Sequence, residues 1–365
     1  MDKPTVEIHR AMLPLSWLYG IGVNFRNWLF NKKILKQHVF DIPIICVGNI
    51  TVGGTGKTPH IEYLIRLLTP RYKVAVLSRG YKRKSKGFLI VDSDSKVQDV
   101  GDEPLQIKQK FPDTLVVVDK DRVSGIKKIL SIEKTERPDV ILLDDGFQHR
   151  HVLPSLSILL VDSNRPVFED KLLPAGRQRE PLKGKDRASI VLVTKCDPDM
   201  QPIDFRIYTN GLELFPYQRL YFTTFDYDSV KPVFPDMQLE PILLNELRKK
   251  HLFLITGIAS PAPLVDKLEH KTYNLYTKFF SDHHLFTKED VQSIRQMVES
   301  VDDDNKMIIT TEKDATRFRA LPYLDDELKK ILYYIPVRVT FVDDTERNAF
   351  NHKILEHVRN HQTNS

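Results

Sequence analysis

The sequence predicts an α/β protein with a doubly wound, mostly parallel sheet and a second, smaller α/β domain. Short apolar runs of strand length recur along the chain and have the composition of strands buried on both faces. Polar, helix-compatible segments separate most of these runs, which is the pattern of βα units. The runs lie at 43–47, 73–78, 115–119, 140–144, 157–162 and 190–194, and a second series lies at 251–256, 307–311 and 331–335.

The composition is that of a soluble protein with room for two domains. Of 365 residues, 41% are hydrophobic and 28% are charged, and the formal net charge is +5. This modest charge permits anionic partners without requiring nucleic acid, and we expect no nucleic-acid partner. Cys46 and Cys196 lie far apart in apolar runs, which predicts core thiols in a reduced, cytosolic protein.

Changes of pattern along the chain predict the domain boundaries. Residues 1–35 are expected to form an amphipathic N-terminal helix, 36–225 the larger domain, and 226–365 the smaller domain with a C-terminal helix near 348–358. Prolines interrupt the pattern between 208 and 243, which predicts an extended linker with a short edge strand or hairpin.

The N-terminal apolar stretch, 11–23, is too short to span a bilayer and contains Pro14. It lacks a cationic region directly before it and a small-residue cleavage site after it, so it fits a signal peptide poorly. Its bulky apolar residues, flanked by arginine and lysine, suit a helix lying in a membrane interface. A helix packed on the protein core is the alternative.

A glycine-rich turn at 48–58 joins an apolar run to an amphipathic helical segment. Backbone N–H groups of such a turn bind phosphate, Lys57 can reach the β and γ phosphates, and the Thr58 hydroxyl can bind Mg²⁺. Thr51 occupies a position where the strict pattern has glycine, so Gly53 and Gly54 are expected to form the turn. The predicted nucleotide-binding residues are Thr51, Gly53, Gly54, Thr55, Gly56, Lys57 and Thr58.

Paired carboxylates, Asp144 and Asp145, end the apolar run at 140–144. A carboxylate at the carboxyl edge of a strand beside a phosphate-binding loop can hold Mg²⁺ directly or through water. We therefore predict Asp144 and Asp145, together with Thr58, as metal ligands. A simple Asp-Asp-Gly turn is the alternative.

Two further positions suggest proton transfer, each with a structural alternative. Asp102 precedes a predicted helix, so it is either the N-cap of that helix or a carboxylate near a reacting hydroxyl. His283 and His284 precede a helix start marked by a capping box at 287–290. A histidine beside an acidic residue can accept a proton, whereas a solvated loop histidine is the commoner case.

Basic residues provide candidate contacts to phosphate. A basic run follows the strand at 73–78 and begins with Arg79, while Arg177 and Arg179 lie among Pro and Gly in a loop. Arginine pairs bidentately with oxyanions, which favours Arg177 and Arg179, whereas a charged run such as 79–86 is usually a solvated face. The segment 194–197, Thr-Lys-Cys-Asp, is similar to the guanine-reading sequence of GTPases and leaves GTP open as the nucleotide.

Together, the motifs at 48–59, 77–81, 101–104, 144–149, 172–181 and 282–284 resemble the tetraacyldisaccharide 4′-kinase family of lipid A biosynthesis. The resemblance runs in order from about residue 10 to 320. The family carries Thr or Ser where strict phosphate loops have the first glycine, which accounts for Thr51.

The resemblance implies transfer of the ATP γ-phosphoryl group to the 4′-hydroxyl of tetraacyldisaccharide 1-phosphate, giving lipid IVA. ATP and Mg²⁺ are the implied cofactors. The implied location is peripheral, at the cytoplasmic face of the inner membrane of a Gram-negative bacterium. By analogy, the two domains are expected to close over the nucleotide.

Site roles also follow from the resemblance. Asp102 matches the catalytic aspartate and His283 its supporting histidine, with His284 as the neighbouring alternative. Glu103 is implied to lie close to Mg²⁺, and Lys57 to act on the transferred phosphate. The implied substrate contacts are Arg79, Gln148, His149, Arg177 and Arg179. Glu180, in another of the matching motifs, is a further candidate for the metal or phosphate site.

Two other functions remain open at the level of sequence. The first is a P-loop GTPase of the metallocentre-assembly or signalling type, which predicts tighter binding of GTP than of ATP. The second is a non-enzymatic, membrane-peripheral scaffold that uses nucleotide only for stability.

Overall fold

A computed structural model of the chain describes residues 6–227, 229–258 and 261–363. The described residues form two compact units. The first unit comprises those of Met1–Ser93, Ile107–Phe225 and Val339–Ser365, and the second those of Asp94–Gln106 and Asp226–Arg338. Parts of the predicted segments 1–35 and 226–365, namely residues 1–5, 228, 259–260 and 364–365, lie outside the described residues.

Both units are discontinuous in sequence. The sequence pattern places 94–106 in the larger domain and the C-terminal helix in the smaller one. In the structure, 94–106 groups with the second unit, and the chain from Val339 groups with the first. The sequence pattern cannot show that these two segments belong to the other unit. Hydrophobic periodicity identifies a helix or strand but not the element against which it packs.

The secondary structure consists of alternating strands and helices. The helices are α1 (Leu13–Asn31), α2 (Lys57–Leu68), α3 (Val97–Val100), α4 (Asp102–Lys110), α5 (Arg122–Leu130), α6 (Pro202–Leu212), α7 (Ala262–Glu269), α8 (Lys288–Glu299), α9 (Glu312–Arg319), α10 (Asp326–Ile331) and α11 (Asp344–Thr363). The strands are β1 (Ile44–Gly48), β2 (Val74–Ser78), β3 (Leu89–Ile90), β4 (Leu115–Val118), β5 (Val140–Asp144), β6 (Leu156–Asp162), β7 (Ile190–Thr194), β8 (Arg219–Asp226), β9 (Ser229–Pro232), β10 (Ile242–Leu243), β11 (His251–Thr256), β12 (Asn274–Phe279), β13 (Lys306–Thr311), β14 (Leu332–Ile335) and β15 (Arg338–Phe341).

The sheet of the first unit has the strand order β15-β8-β7-β6-β1-β5-β2-β4-β3. Strands β1, β2, β4, β5, β6, β7 and β8 pair in parallel, and β3 pairs antiparallel with β4. Strand β1 is central, and all five of its residues are buried. Its apolar side chains are covered on both faces, as the run at 43–47 predicts. The predicted doubly wound sheet is therefore confirmed.

The prediction of a short edge strand or hairpin within 208–243 is confirmed by β9 and β10, which pair antiparallel at the edge of their sheet, but it is wrong for the aromatic segment. The aromatic segment near Tyr221 is expected to form a short edge strand or hairpin, but β8 pairs in parallel with β7 and has β15 on its other side. Burial of Tyr221 and Phe222 explains the difference, because these aromatic side chains pack against helices on the sheet.

The second unit has its own sheet, ordered β10-β9-β14-β13-β11-β12. Strand β11 is fully buried and pairs in parallel with β12 and β13. Phe253, Phe286 and Phe318 lie in the core beside this sheet, and the rings of Phe286 and Phe318 stack with centroids 4.1 Å apart. The predicted second α/β series is confirmed, and the capping box of Thr287 and Asp290 begins α8 as expected.

The N-terminal helix α1 packs on the first unit through a narrow face. Ser16, Gly20 and Phe30 are its buried residues. Most of its bulky apolar side chains are exposed, including Trp17 at 69% and Phe25 at 59%. No helix within the described ranges combines the length and apolar composition needed to cross a bilayer.

The aromatic cluster under α11 gives a prediction for the first unit. Phe350 is buried with its ring 5.5 Å from that of Tyr221 and 5.1 Å from that of Phe341. Phe350→Ala is expected to destabilise the first unit by about 3–5 kcal/mol, because it leaves a cavity. Thermal and urea unfolding measure the loss. Trp17→Ala is the matched control, with an expected change below about 0.5 kcal/mol, and an equal effect of both variants would contradict the packing.

Candidate active site

Parallel pairing of β1 with β5 brings the two central motifs together. Val47 of β1 is paired with Asp144 of β5, so the glycine-rich turn and the paired carboxylates follow adjacent strand ends. In open α/β sheets this carboxyl edge is where ligands bind. Ser78, at the end of the next strand, donates a hydrogen bond to Asp144 Oδ2 (2.9 Å).

The glycine-rich turn is anchored from beneath by buried polar groups. Asn49 donates from Nδ2 to Thr55 Oγ1 (3.0 Å), and Thr194 Oγ1 donates to the carbonyl of Thr55 (3.0 Å). Gly56 precedes α2 with φ +82°, and a Cβ there would lie 2.5 Å from the ring of Phe225. Glycine is therefore required at this position. Lys57 begins α2, whose N-terminus attracts anions.

His60 connects this turn to the sheet. Its Nδ1 lies 2.7 Å from the Gly56 carbonyl and its Nε2 lies 3.0 Å from Thr223 Oγ1. A carbonyl only accepts, so Nδ1 carries the proton and Nε2 accepts from the threonine hydroxyl. Burial lowers the pKa of His60 to about 4. The imidazole is therefore held neutral behind the turn.

Asp145 is the charged centre of the first unit's site. Its backbone is left-handed, with φ +48°, and such strain in a non-glycine residue is often found at functional sites. Lys57 Nζ lies 3.6 Å from Oδ1, and Arg179 Nη1 lies 3.3 Å from Oδ2. Burial raises the pKa of this carboxyl, but Lys57 and Arg179 outweigh it and hold the pKa below its usual value.

The loop at 172–181 pairs with the glycine-rich turn through its backbone. Val52 N donates to the Arg177 carbonyl (2.7 Å), and Arg179 N donates to the Ile50 carbonyl (2.7 Å). Arg177 Nη1 lies 3.9 Å from where a Gly53 Cβ would be. This pairing places both predicted arginines beside the turn.

Gln148 links the two motifs. Its Nε2 donates to the Asn49 carbonyl, and its Oε1 accepts from Arg179 Nη1 (3.4 Å). The same Nε2 lies 3.4 Å from Glu180 Oε1. Glu180 is buried and bound to Arg187 (2.9 Å), so within the first unit it is part of the support of the loop.

Sequence reasoning missed Arg122, the first residue of α5. Its guanidinium is buried and lies in the electrostatic field of Asp144 and Asp145. Burial lowers its pKa, and the two carboxylates oppose that shift. A signal was present, because the polar run 119–122 follows β4 at the same sheet edge as Asp144. Arg79, which follows β2, is exposed, and its positive charge also lowers the pKa of Arg122.

A polar cleft of about 520 Å³ opens beside His149. Asp119, Asp121 and His151 also line it. Burial lowers the pKa of His149 to about 4, and the positive charge of Arg122 adds to the shift. His149 Nε2 is buried and has no hydrogen-bond partner among the described residues.

The second unit brings Asp102 and His283 together. His283 Nδ1 lies 2.9 Å from Asp102 Oδ2, and Arg317 donates to the same oxygen. Burial raises the pKa of Asp102, but His283, Lys313 and Arg317 outweigh it and hold the pKa well below its usual range. Asp102 also accepts from Glu103 N through Oδ1 (3.0 Å) at the start of α4.

The two adjacent histidines have different partners. His284 Nε2 lies 2.8 Å from Asp290 Oδ2, and its ring stacks on Phe280 with centroids 4.7 Å apart. His284 therefore supports the capping of α8, whereas His283 contacts Asp102. Glu103 faces Lys313, with 3.3 Å between Oε1 and Nζ.

The donor set of the first unit fits Mg²⁺ bound together with a nucleotide. No three His, Cys, Asp or Glu side chains cluster as a complete metal site within 6–227, 229–258 and 261–363. Mg²⁺ beside phosphates needs only one or two protein carboxylates, because phosphate and water oxygens complete its octahedron. Asp144 and Asp145 are hard oxygen donors of this kind, and Thr58 lies in the first turn of α2.

The residues that are similar to the guanine-reading sequence of GTPases have other partners. Lys195 Nζ binds Asp162 Oδ2 (2.5 Å), and Thr194 supports the Thr55 carbonyl. Cys196 is buried, and burial raises its thiol pKa to about 12.

The fold and the first unit's site define a P-loop protein of the phosphoryl-transferring class. A model of the family described as Tetraacyldisaccharide-1-P 4′-kinase matches residues 8–359. The chain belongs to this family. It is similar to the tetraacyldisaccharide 4′-kinase of Phocaeicola vulgatus, with 50% identity over 100% of this chain and 99% of the relative. It is also similar to the tetraacyldisaccharide 4′-kinase of Flavobacterium johnsoniae, with 41% identity over 96% of this chain and 98% of the relative.

A solved structure shows the same architecture. The "apo" form of LpxK from Aquifex aeolicus, crystallised in complex with ATP, matches with a TM-score of 0.71 and 29% sequence identity. The match covers 96% of this chain and 99% of that chain.

The buried histidine behind the glycine-rich turn, His60, gives a pH prediction. In the unfolded chain a histidine binds its proton near pH 6.5, but folded His60 does so only near 4, so acid favours the unfolded state. The contribution of His60 to the free energy of unfolding is fully present above its pKa in the unfolded chain. It falls as the pH drops towards its pKa in the folded protein. Between about pH 7 and about pH 5 the loss is about 2 kcal/mol.

Urea unfolding of the native chain and of His60→Gln at both pH values measures this loss. We expect a smaller pH dependence in His60→Gln, because the titrating group is gone. His352→Gln, on the exposed face of α11, should keep the native pH dependence. Identical pH dependence in His60→Gln and the native chain would contradict the prediction.

Proposed function

We propose that this chain transfers the γ-phosphoryl group of ATP to the 4′-hydroxyl of tetraacyldisaccharide 1-phosphate, giving lipid IVA. The observation that carries the proposal is the pairing of a phosphate-binding turn with Asp144 and Asp145 at one sheet edge. Family membership supports the substrate, because the relatives across the whole chain carry that name.

The first unit supplies the groups for the nucleotide. The backbone of 51–56 and the N-terminus of α2 bind phosphate oxygens, and Lys57 neutralises charge on the transferred group. Mg²⁺, when bound, neutralises further phosphate charge. Thr58, Asp144 and Asp145 are the residues of this unit that we assign to hold it. Arg122 balances the charge of the two aspartates.

The second unit supplies the groups for the acceptor hydroxyl. Asp102 stays ionised, so its carboxylate can orient the hydroxyl, and His283 is bound to it at 2.9 Å. Phosphoryl transfer depends mainly on positioning and charge neutralisation, so a modest contribution from proton transfer suffices. The proposal thus assigns nucleotide binding to one unit and hydroxyl activation to the other.

Arginines and the segment 144–149 supply the groups for the anionic acceptor. Arg177 and Arg179 are held beside the phosphate-binding turn, and Gln148 is hydrogen-bonded to Arg179. The cleft beside His149 is polar and large enough for a sugar. We assign this cleft and Arg79 to the disaccharide 1-phosphate headgroup.

The exposed face of α1 supports peripheral attachment to a bilayer, which we place at the cytoplasmic face of the inner membrane. Apolar side chains on that face can enter the headgroup region, and Arg10, Arg26, Lys32 and Lys33 favour anionic lipid. The helix is tied to the candidate substrate loop, since Ser16 Oγ donates to the Leu172 carbonyl (2.9 Å) and Tyr19 to the Arg179 carbonyl (2.8 Å). Acyl chains can then stay in the bilayer while the headgroup reacts.

Kinase activity is tested by transfer of labelled γ-phosphate to tetraacyldisaccharide 1-phosphate in detergent micelles. Lys57→Met removes a charge that acts on the transferred phosphate, and we expect a loss of about 10²–10³-fold in kcat. Asp102→Asn is expected to lose about 10²–10⁴-fold while ATP still binds.

Lys329→Met, at an exposed ion pair on α10, is the control and should keep native turnover. Hydrolysis of GTP in preference to ATP, without lipid product, would favour the GTPase alternative. Native turnover by Asp102→Asn would remove the assigned role of that carboxylate.

Membrane attachment is tested by liposome flotation with anionic vesicles. The triple change Trp17→Ser, Leu18→Ser and Phe25→Ser removes much of the exposed apolar area of α1, and we expect the floated fraction to fall at least about fivefold. Ile203→Ser and Phe215→Ser change exposed apolar residues outside α1 and should leave flotation unchanged. Equal flotation of all variants would contradict the proposal.

A further inference from the structure

Helix α9 holds the Asp102–His283 pair through two cations. It follows β13 directly, and Lys313 and Arg317, four residues apart, lie on one face of the helix. Arg317 is buried, donates to Asp102 Oδ2 and binds Asp314 Oδ1 (2.6 Å).

Asp314 fixes the helix to the sheet of the second unit. The carboxylate is fully buried and accepts hydrogen bonds from Thr256 Oγ1 (2.8 Å), Gly257 N (3.0 Å) and Thr311 Oγ1 (2.7 Å). These donors lie at the ends of β11 and β13. The position of Lys313 is therefore set by a rigid support.

Lys313 Nζ lies among the polar groups of the pair. Nζ is 3.1 Å from His283 Nε2, 3.3 Å from Glu103 Oε1, 3.5 Å from Asp282 Oδ1 and 3.9 Å from Asp102 Oδ2. Three carboxylates thus lie within 3.9 Å of Nζ, and this surrounding negative charge favours the ammonium form of the side chain.

An ammonium group only donates hydrogen bonds, so His283 Nε2 accepts from Lys313. Asp282 Oδ2, 3.7 Å from the same nitrogen, would instead favour an N–H at Nε2 once the ammonium group is removed. A neutral imidazole that accepts at Nε2 carries its proton on Nδ1, which is the nitrogen 2.9 Å from Asp102. The opposite tautomer would direct an N–H at the ammonium and a lone pair at the carboxylate. Both contacts would then be repulsive, so Lys313 and Asp102 select the same tautomer.

We infer that Lys313 is a positioning residue that fixes His283 as the Nδ1–H tautomer and so directs its hydrogen bond to Asp102. The inference rests on the proposed function for its catalytic consequence, but the tautomer is a property of the second unit by itself. The left-handed backbone of His283, with φ +61°, and the hydrogen bond from its amide to the Gly257 carbonyl (3.3 Å) hold the ring between its two partners.

Nuclear magnetic resonance of ¹⁵N-histidine-labelled full-length protein tests the tautomer directly. His283→Gln identifies the His283 signals by their disappearance. In the native chain we expect the His283 spectrum of the Nδ1–H form. Lys313→Met keeps the apolar stem but removes the donor, and we expect the averaged nitrogen shifts of two exchanging tautomers. Lys313→Arg retains a donor-only cation, and we expect it to retain the native spectrum.

Kinetics separate positioning from a merely structural role. In the micelle assay, Lys313→Met is expected to lower kcat at least about tenfold with the KM for ATP changed less than about twofold. In a His283→Gln background the same change should have an effect of less than about threefold, because Lys313 acts mainly through the histidine and its own distance to Asp102 Oδ2 is 3.9 Å. Lys329→Met is the matched lysine control and should match the native chain in both measurements.

The two proposals fail in different ways. Absence of lipid product with the native chain would overturn the proposed function and leave the spectroscopic test intact. An Nε2–H spectrum of His283 in the native chain would overturn the inference, even if Lys313→Met did not fold. A native spectrum in Lys313→Met, or equal kinetic losses in the native and His283→Gln backgrounds, would also overturn it.

Discussion

Parallel pairing of β1 with β5 is the constraint on which the first unit's site depends. The pairing of Val47 with Asp144 fixes which residues leave the sheet side by side. A slip of one residue would turn each side chain of β5 to the opposite face of the sheet, because the period of a strand is two. Lys57 would then lose Asp145, and Ser78 would lose Asp144. The apolar side chains that cover both faces of β1 and β5 therefore also determine the geometry of the charged groups.

Both units keep carboxylates ionised by surrounding them with cations. Asp145 has Lys57 and Arg179, and Asp102 has Arg317 and Lys313 with the donor His283. Burying an ion pair contributes little to stability, because desolvation offsets the attraction. The proposed reaction gives a better explanation of these clusters, because charges and dipoles that are already fixed need not reorganise when a polyphosphate binds. Asp145 and His283 also have left-handed backbones, and such strained conformations in non-glycine residues are often found at functional sites.

The sequence predicted what depends on local pattern. The runs at 43–47 and 140–144 identified β1 and β5, and the glycine-rich turn located Lys57 at the start of α2. Asp102 and His283 are 181 residues apart, and their contact was reached only through resemblance to a family. Arg122, Lys313 and Arg317 were missed because each lies within an ordinary helix. A basic residue on a helix has no periodicity that distinguishes a buried partner of a carboxylate from a solvated one. Strand β12 was missed because it is half-exposed and polar.

The discontinuity of the first unit has a consequence for biosynthesis. Strand β15, which flanks β8, and α11, whose Phe350 packs on Tyr221, both follow the second unit in the chain. A nascent chain therefore carries an unpaired β8 edge and an uncovered aromatic surface for as long as the ribosome takes to translate 226–338. Unpaired strand edges with apolar side chains favour aggregation. A ribosome that stalls within this interval leaves a polypeptide suited to capture by chaperones, although most of its first sheet has already been made.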